Sequence, residues 1–268
     1  MIPKIIHYCW FGPKQIPEKI SEYMETWKKF CPDFKIMLWN EDNFDVNLFK
    51  VSELAYQAKK YAFVADVCRI YALEKFGGVY LDTDIQLIKP IEDLLHHSAF
   101  VGFEDDEYVN AAIVGANYKS HFIIDILNYY RGIKNINFDS EELFNFTIPI
   151  IFTEILKNKK CLTSGVNNDF PNYCFIYKED YFYPKNYQTG LTHITLNTYA
   201  IHHYDASWID DKQPHLDNQK YQRLNFYTKK IKDDSITFEE AFSKLRVVYK
   251  MSKFDLISYF FKKIFKLS

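Results

Sequence analysis

The sequence lacks several features that would place it in a function class at once. No apolar run approaches the roughly 20 residues a transmembrane helix needs. The opening Met1-Ile2-Pro3-Lys4-Ile5-Ile6 does not read as a signal peptide, because its apolar run is short and Pro3 and His7 interrupt it. No charge sign dominates: 33 Lys and Arg against 35 Asp and Glu leave a net charge of −2, so no global field favours nucleic acid. Cysteines are few and odd in number. The five (Cys9, Cys31, Cys68, Cys161, Cys174) form no Cys-x-x-Cys pair, and four lie in apolar or aromatic surroundings. They read as reduced packing thiols of a cytoplasmic protein, which excludes a disulfide framework or a zinc site. Internal repeats and low-complexity linkers are also missing.

What is present is apolar and aromatic. With 48% hydrophobic residues, 268 residues suffice for one substantial domain, or one domain with an appendage. Aromatics reach 18%, enough to line a sugar- or base-binding cleft, although coding bias produces the same excess. Lys4–Trp10 reads as a buried opening strand, closed by Phe11-Gly12-Pro13. Pro17–Phe30 has helical spacing through Ile20, Met24 and Trp27. Phe34–Trp39 alternates as a strand, and Ser52 is positioned to cap one long helix that ends at Gly77. Val79–Leu81, Ala99–Phe103 and Ala111–Gly115 read as further strands, Phe122–Tyr130 as a helix and Ile194–Tyr204 as a late strand. Strands alternating with helices predict an α/β fold with a largely parallel sheet.

The chemistry gathers where that sheet would place a ligand, beyond the carboxyl ends of its strands. Asp82 and Asp84 follow the strand after Gly77-Gly78. Residues i and i+2 of a strand share a face, so the two carboxylates can converge on a hard divalent cation. On the preceding helix, Asp66 and Arg69 share one face among apolar neighbours. Asp66 could accept from substrate hydroxyls, with Arg69 facing negative charge; a surface ion pair is the bland alternative. At the other end, Lys250–Ser268 carries five lysines and one Asp. Phe254, Ile257, Phe260, Phe261, Ile264 and Phe265 share one arc of a helical wheel, which fits a basic amphipathic helix on an anionic membrane or a terminal helix docked on the domain.

The block Ala65-Asp66-x-x-Arg69-x-x-x-Leu73-x-x-x-Gly77-Gly78-x-Tyr80-x-Asp82-x-Asp84 resembles the signature of the DXD-containing sugar transferases of glycosyltransferase family 32, a block found also in the large clostridial glucosylating toxins. Ile5-Ile6-His7-Tyr8-Cys9-Trp10-Phe11-Gly12 resembles that family's opening strand. Ala200-Ile201-His202-His203-Tyr204-Asp205-Ala206-Ser207-Trp208 resembles its closing block. Together they bracket residues 1 to about 210; residues 119–181 match only loosely, with Thr147-Ile148-Pro149 where many members carry Thr-Gly-Pro.

The resemblance implies a GT-A fold, expected over residues 1–245, and the basic aromatic pattern sets residues 246–268 apart as the appended helix. It implies metal-dependent, retaining transfer from a nucleotide-diphosphate sugar, UDP-linked first, to a saccharide acceptor, lipid-linked in cell-surface polysaccharide assembly of a bacterium. Such a protein would sit in the cytoplasm, peripheral on the inner face of the membrane. Trp10 would stack on the base, with Tyr8 beside it. Asp66 and Arg69 would hold the sugar and the diphosphate side, and Asn110 the sugar or acceptor. Asp82 would contact ribose, sugar and metal. Asp84 would be the principal ligand of Mn²⁺ or Mg²⁺, completed by His202 or, as the alternative, His203. Ser207 and Trp208 would donate to the leaving diphosphate. A phosphatase of the haloacid-dehalogenase type and a toxin-like protein glycosyltransferase are the rival readings. A glycosidase needs carboxylates about 5–10 Å apart across the bond, and Asp82 and Asp84 are too close in sequence for that.

Overall fold

Hydrophobic periodicity becomes a seven-stranded mixed sheet covered by helices on both faces in the computed structural model. It describes residues 1–106, 108–138, 146–159, 162–186, 191–205, 231 and 237–241. The elements run β1 (Ile5–Cys9), α1 (Glu18–Phe30), β2 (Lys35–Trp39), α2 (Lys50–Gln57), α3 (Tyr61–Phe76), β3 (Gly78–Leu81), β4 (Ile85–Leu87), β5 (Ala99–Phe103), β6 (Val109–Ala116), α4 (His121–Gly132), α5 (Ile148–Lys159), β7 (Asn168–Phe170), β8 (Cys174–Tyr177) and β9 (Ala200–His202). The sheet order is β2-β1-β3-β6-β5-β8-β7. Strands β2, β1, β3, β5 and β8 point one way and β6 and β7 the other, so the sheet is mixed but mostly parallel.

Two apolar layers sandwich the sheet. One holds Val64, Val67, Ile70 and Leu73 of α3 with Tyr80, α4 and α5. The other holds Trp27 of α1 with Val79, Leu81, Ile85, Leu87 and Phe100. Val79 and Leu81 therefore face one layer and Tyr80 the other, as strand alternation requires. This places α3 on the Tyr80 face and α1 with β4 on the opposite one.

The long helix expected from Ser52 to Phe76 is broken. Lys59 takes a left-handed conformation (φ 57°), Lys60 N–H donates to Ala55 O at 2.8 Å and Lys59 N–H to Tyr56 O at 3.0 Å. That is a Schellman closure, which ends α2 and lets α3 restart at a new angle. Ser52 lies inside α2 rather than at its cap, its hydroxyl donating to Val46 O and Phe49 O. Gly77 does stop α3, with φ 62° and a close approach in which a Cβ would fall 2.8 Å from Tyr118 N. The late strand shrinks to Ala200–His202, because Thr195 and Thr198 fold the preceding residues into a turn tied to Asp180. Among the described residues β4 and β9 form a separate two-stranded sheet, Ile85 opposite His202.

Residues 1–186 and 191–208 form one compact unit, and residues 187–190 with 209–268 a second. In the second, Thr237 and Glu240 form a capping box: Thr237 N–H donates to the Glu240 carboxylate at 2.7 Å and Glu240 N–H to the Thr237 hydroxyl at 3.2 Å. The expected boundary at 245/246 and the amphipathic segment 246–268 lie outside the described residues.

Candidate functional site

α3 and β3 meet at a buried cation. Arg69 is 5% exposed. Its Nη2 lies 2.9 Å from Asp66 Oδ1 and 3.2 Å from Asp82 Oδ1. Its Nη1 donates to Ala111 O at 2.7 Å and to Asp82 Oδ2 at 3.4 Å, and its Nε reaches Ala65 O at 3.5 Å. The guanidinium sits 4.4 Å from the Tyr80 ring centroid, and the Tyr80 hydroxyl donates to Asp82 Oδ1 at 2.8 Å. Each nitrogen of the guanidinium therefore has a protein acceptor, and Arg69 holds Asp66 and Asp82 in place.

Two carboxylates share that one cation, and burial decides the balance. Burial pushes Asp66 up to about 7, against the pull of Arg69. The 2.9 Å pair does not win, because full burial outweighs it and the nearby Asp82 charge adds to the rise. Asp82 is raised for the same reason, burial, with repulsion from Asp84 adding to it and Arg69 opposing. Arg69 stays charged: burial works against the cation, and Asp82, Tyr80 and Asp66 outweigh it.

Asp84 is the contrast. The chain leaves the sheet at Asp82 in a turn closed by Ile85 N–H to Asp82 O at 3.0 Å, so the turn, not strand alternation, brings Asp84 round. Burial opposes its charge. His202, with Nε2 at 3.3 Å from Oδ1, and the Asp205 N–H, at 2.9 Å from Oδ2, nonetheless pull it down to about 2. Burial lowers His202, Asp84 outweighs that, and its pKa is raised.

One ligand atom each from Asp82, Asp84 and His202 falls within 4.8 Å of the other two. The imidazole Nδ1 of His202 is buried with no hydrogen-bond partner. A crowded carboxylate pair with an under-satisfied imidazole fits a divalent cation, and the two carboxylates favour a hard one such as Mn²⁺ or Mg²⁺. His203, the first residue past β9, turns the other way. It stacks on Tyr23 and meets Gln86 Oε1 at 2.8 Å.

The remaining expected residues are less uniform. Trp10 is half-buried just past the end of β1, at the sheet edge where β3 delivers Asp82, and its indole N–H donates to Lys14 O at 2.6 Å. Tyr8 packs edge-on against Trp27 on the α1 face, away from Arg69. Asn110 is buried within β6, its Oδ1 accepting from Ala112 N–H at 2.7 Å. Ser207 and Trp208 lie outside the described residues. Sequence reasoning missed Tyr80, the Ala111 carbonyl and the Asp205 amide. Tyr80 carried a usable signal, since it precedes Asp82 by two on one face of a strand. The two backbone groups carried none.

Residues 17–101 match the family described as the glycosyltransferase sugar-binding region containing the DXD motif. Inositol phosphoceramide mannosyltransferase 3 of Schizosaccharomyces pombe is 28% identical over 159 residues, 58% of this chain and 44% of that protein. The chain thus spans less than half the length of that relative. An uncharacterized glycosyltransferase of Acanthamoeba polyphaga mimivirus is 27% identical over 81% of this chain and 86% of its own. The solved PaToxG glycosyltransferase superposes with a TM-score of 0.44 at 20% identity, covering 59% of this chain and 70% of that one.

Proposed function

We propose, from the premise that this chain belongs to the glycosyltransferases with a DXD-containing sugar-binding region, that it transfers a sugar from a nucleotide diphosphate to a hydroxyl acceptor with the help of a divalent cation. The observation that carries this reading is the cluster of Asp82, Asp84 and His202 beside the buried Arg69.

Asp84 and His202 would hold the cation, with Asp82 at its edge. A bound Mn²⁺ or Mg²⁺ would supply positive charge where the departing diphosphate develops negative charge. Asp66 and Asp82, oriented by Arg69, would accept from sugar and ribose hydroxyls. Trp10 would offer its ring to the base, and Ser207 and Trp208 would donate to the diphosphate. In the transfer the acceptor oxygen bonds to the anomeric carbon while the bond from that carbon to the phosphate oxygen breaks. The electron pair leaves with the diphosphate, which takes the acceptor's proton. Same-face attack keeps the anomeric configuration, as the family resemblance implies.

Names of relatives order the candidates. The relatives named inositol phosphoceramide mannosyltransferases put mannosyl donors beside UDP-sugars, and a lipid-linked acceptor first. A role on capsule or lipooligosaccharide precursors, at the inner face of a bacterial membrane through the basic segment 246–268, belongs to the same proposal. The test is donor hydrolysis over a panel of UDP- and GDP-sugars with Mn²⁺. One donor should release its nucleoside diphosphate, and Asp84→Ala should abolish the release. Phosphate release from simple phosphomonoesters, or turnover unaffected by chelation, would refute the reading.

A further inference from the structure

Asp84 is held from behind by a segment that the proposed transfer does not use. Its Oδ2 accepts from the Asp205 N–H at 2.9 Å, and its backbone carbonyl accepts from the His203 N–H at 3.0 Å. Residues 203–205 therefore wrap this carboxylate. To do so the chain passes through Tyr204 at φ 57°, a left-handed conformation that a tyrosine adopts only under constraint.

The constraint comes from α1. Lys19 Nζ lies 2.7 Å from Asp205 Oδ2, and the Tyr23 hydroxyl donates to the same oxygen at 3.1 Å. The Tyr23 ring lies flat on the His203 imidazole, with centroids 4.1 Å apart and planes 4° apart. His203 Nε2 meets Gln86 Oε1 of β4 at 2.8 Å, and Lys185 Nζ donates to the His203 carbonyl at 2.6 Å. Lys19 and Tyr23 are four apart, so one face of α1 presents both.

We infer that this face of α1 is a clamp that positions the cation site. Lys19 and Tyr23 hold Asp205 and His203, and those two residues set the backbone that aims Asp84 and follows His202. Lys19, Tyr23, His203 and Asp205 are positioning residues: they act through Asp84, not on the substrate. An ion pair with Lys19 62% exposed adds little to stability by itself. Its effect is geometric, because it stops the strained turn from relaxing. Groups that orient metal ligands change metal affinity about 10–100-fold when removed. The inference rests on the reading of Asp82, Asp84 and His202 as a cation site.

The test uses the full chain with Mn²⁺ alone as the probe, titrated by calorimetry and by the magnetic resonance signal of free Mn²⁺. Tyr23→Ala and Asp205→Ala should each bind Mn²⁺ about tenfold more weakly than the parent chain. Tyr23→Phe, which keeps the ring stack, should fall between. Glu25→Gln, on exposed surface of the same helix, should bind as the parent does. Donor hydrolysis by Tyr23→Ala should return toward the parent rate as Mn²⁺ is raised, since the change lies in affinity and not in turnover. Parent-like Mn²⁺ affinity in Tyr23→Ala and Asp205→Ala would overturn the clamp and leave the cation reading standing. Activity that excess Mn²⁺ does not restore would also overturn it. A parent chain that binds neither Mn²⁺ nor Mg²⁺ would overturn both. Should Asp205→Ala fail to fold, Lys19→Ala and Tyr23→Phe decide the question.

Discussion

Replacing Arg69 by methionine should destabilise the chain in a strongly pH-dependent way. The side chain is nearly the same length, so little volume is lost, but the cation between Asp66 and Asp82 disappears. Removing one partner of a buried ion pair costs about 3–5 kcal/mol, because the other charge is left uncompensated. Here two carboxylates are left, and they escape by staying protonated in the folded state. Their folded pKa values then lie above the unfolded value of about 3.9, so the fold binds the extra protons and stability falls as pH rises. Each carboxylate that stays protonated to pH 8 costs about 1.4 kcal/mol per pH unit, or up to about 4 kcal/mol between pH 5 and pH 8. Asp66 and Asp82 are both raised by burial in the parent chain, and removing Arg69 takes from each the charge that opposes that rise.

The assay is urea unfolding of both chains in chelator at pH 5 and pH 8. The deficit of Arg69→Met should be small at pH 5 and about 3–5 kcal/mol at pH 8. Adding Asp66→Asn to Arg69→Met should recover part of it at pH 8. A deficit that is equal at the two pH values, or below about 1 kcal/mol at pH 8, would refute the account of Arg69 as the charge that sustains this site.

Two further perturbations read the scaffold. Burial lowers the pKa of His7 to about 4, against the opposing contact of Nε2 with Gly77 O at 2.8 Å, and Nδ1 accepts from the Trp39 indole at 3.1 Å. The unfolded chain binds that proton more readily, so stability should fall as pH drops from about 6.5 toward 4, by up to about 3 kcal/mol. His7→Gln should flatten the slope in urea titrations, and an unchanged slope would exclude His7 as its source. Gly115→Ala would drive a Cβ into the Phe100 ring, a clash in the sheet that should cost about 1–3 kcal/mol in thermal unfolding; a neutral result would show that Phe100 can move aside.

Much of the scaffold was legible because it is local. The short apolar run at Ile5–Cys9, the glycine stop at Gly77 and the apolar β5 and β6 each state their conformation within a few residues. The break at Lys59 was not legible, since a lysine in the left-handed region carries no side-chain signal and the α2–α3 angle is set by packing. α5 was missed for a similar reason: Ile148-Pro149-Ile150-Ile151 reads as an apolar run with a proline, and only its burial against the sheet makes a helix of it. At the site, Asp66 and Arg69 were readable from helix spacing, and Asp82 and Asp84 from the short acidic pair.

The sequence by itself determined the inventory: which carboxylates, which cation and which histidine pair the chain brings, and that strands and helices alternate around them. Tertiary structure decided what each one does. It made Arg69 the shared counter-charge of two aspartates, one on its own helix and one at the end of β3. His202 rather than His203 reached Asp84, because β9 pairs with β4 in one register and His203, the first residue past β9, turns the other way. It also split two carboxylates only two residues apart, holding Asp82 high and Asp84 low. Charge in a buried site is set by neighbours in space, and those neighbours arrive from α1, α3, β6 and β9, which no stretch of sequence around the pair contains.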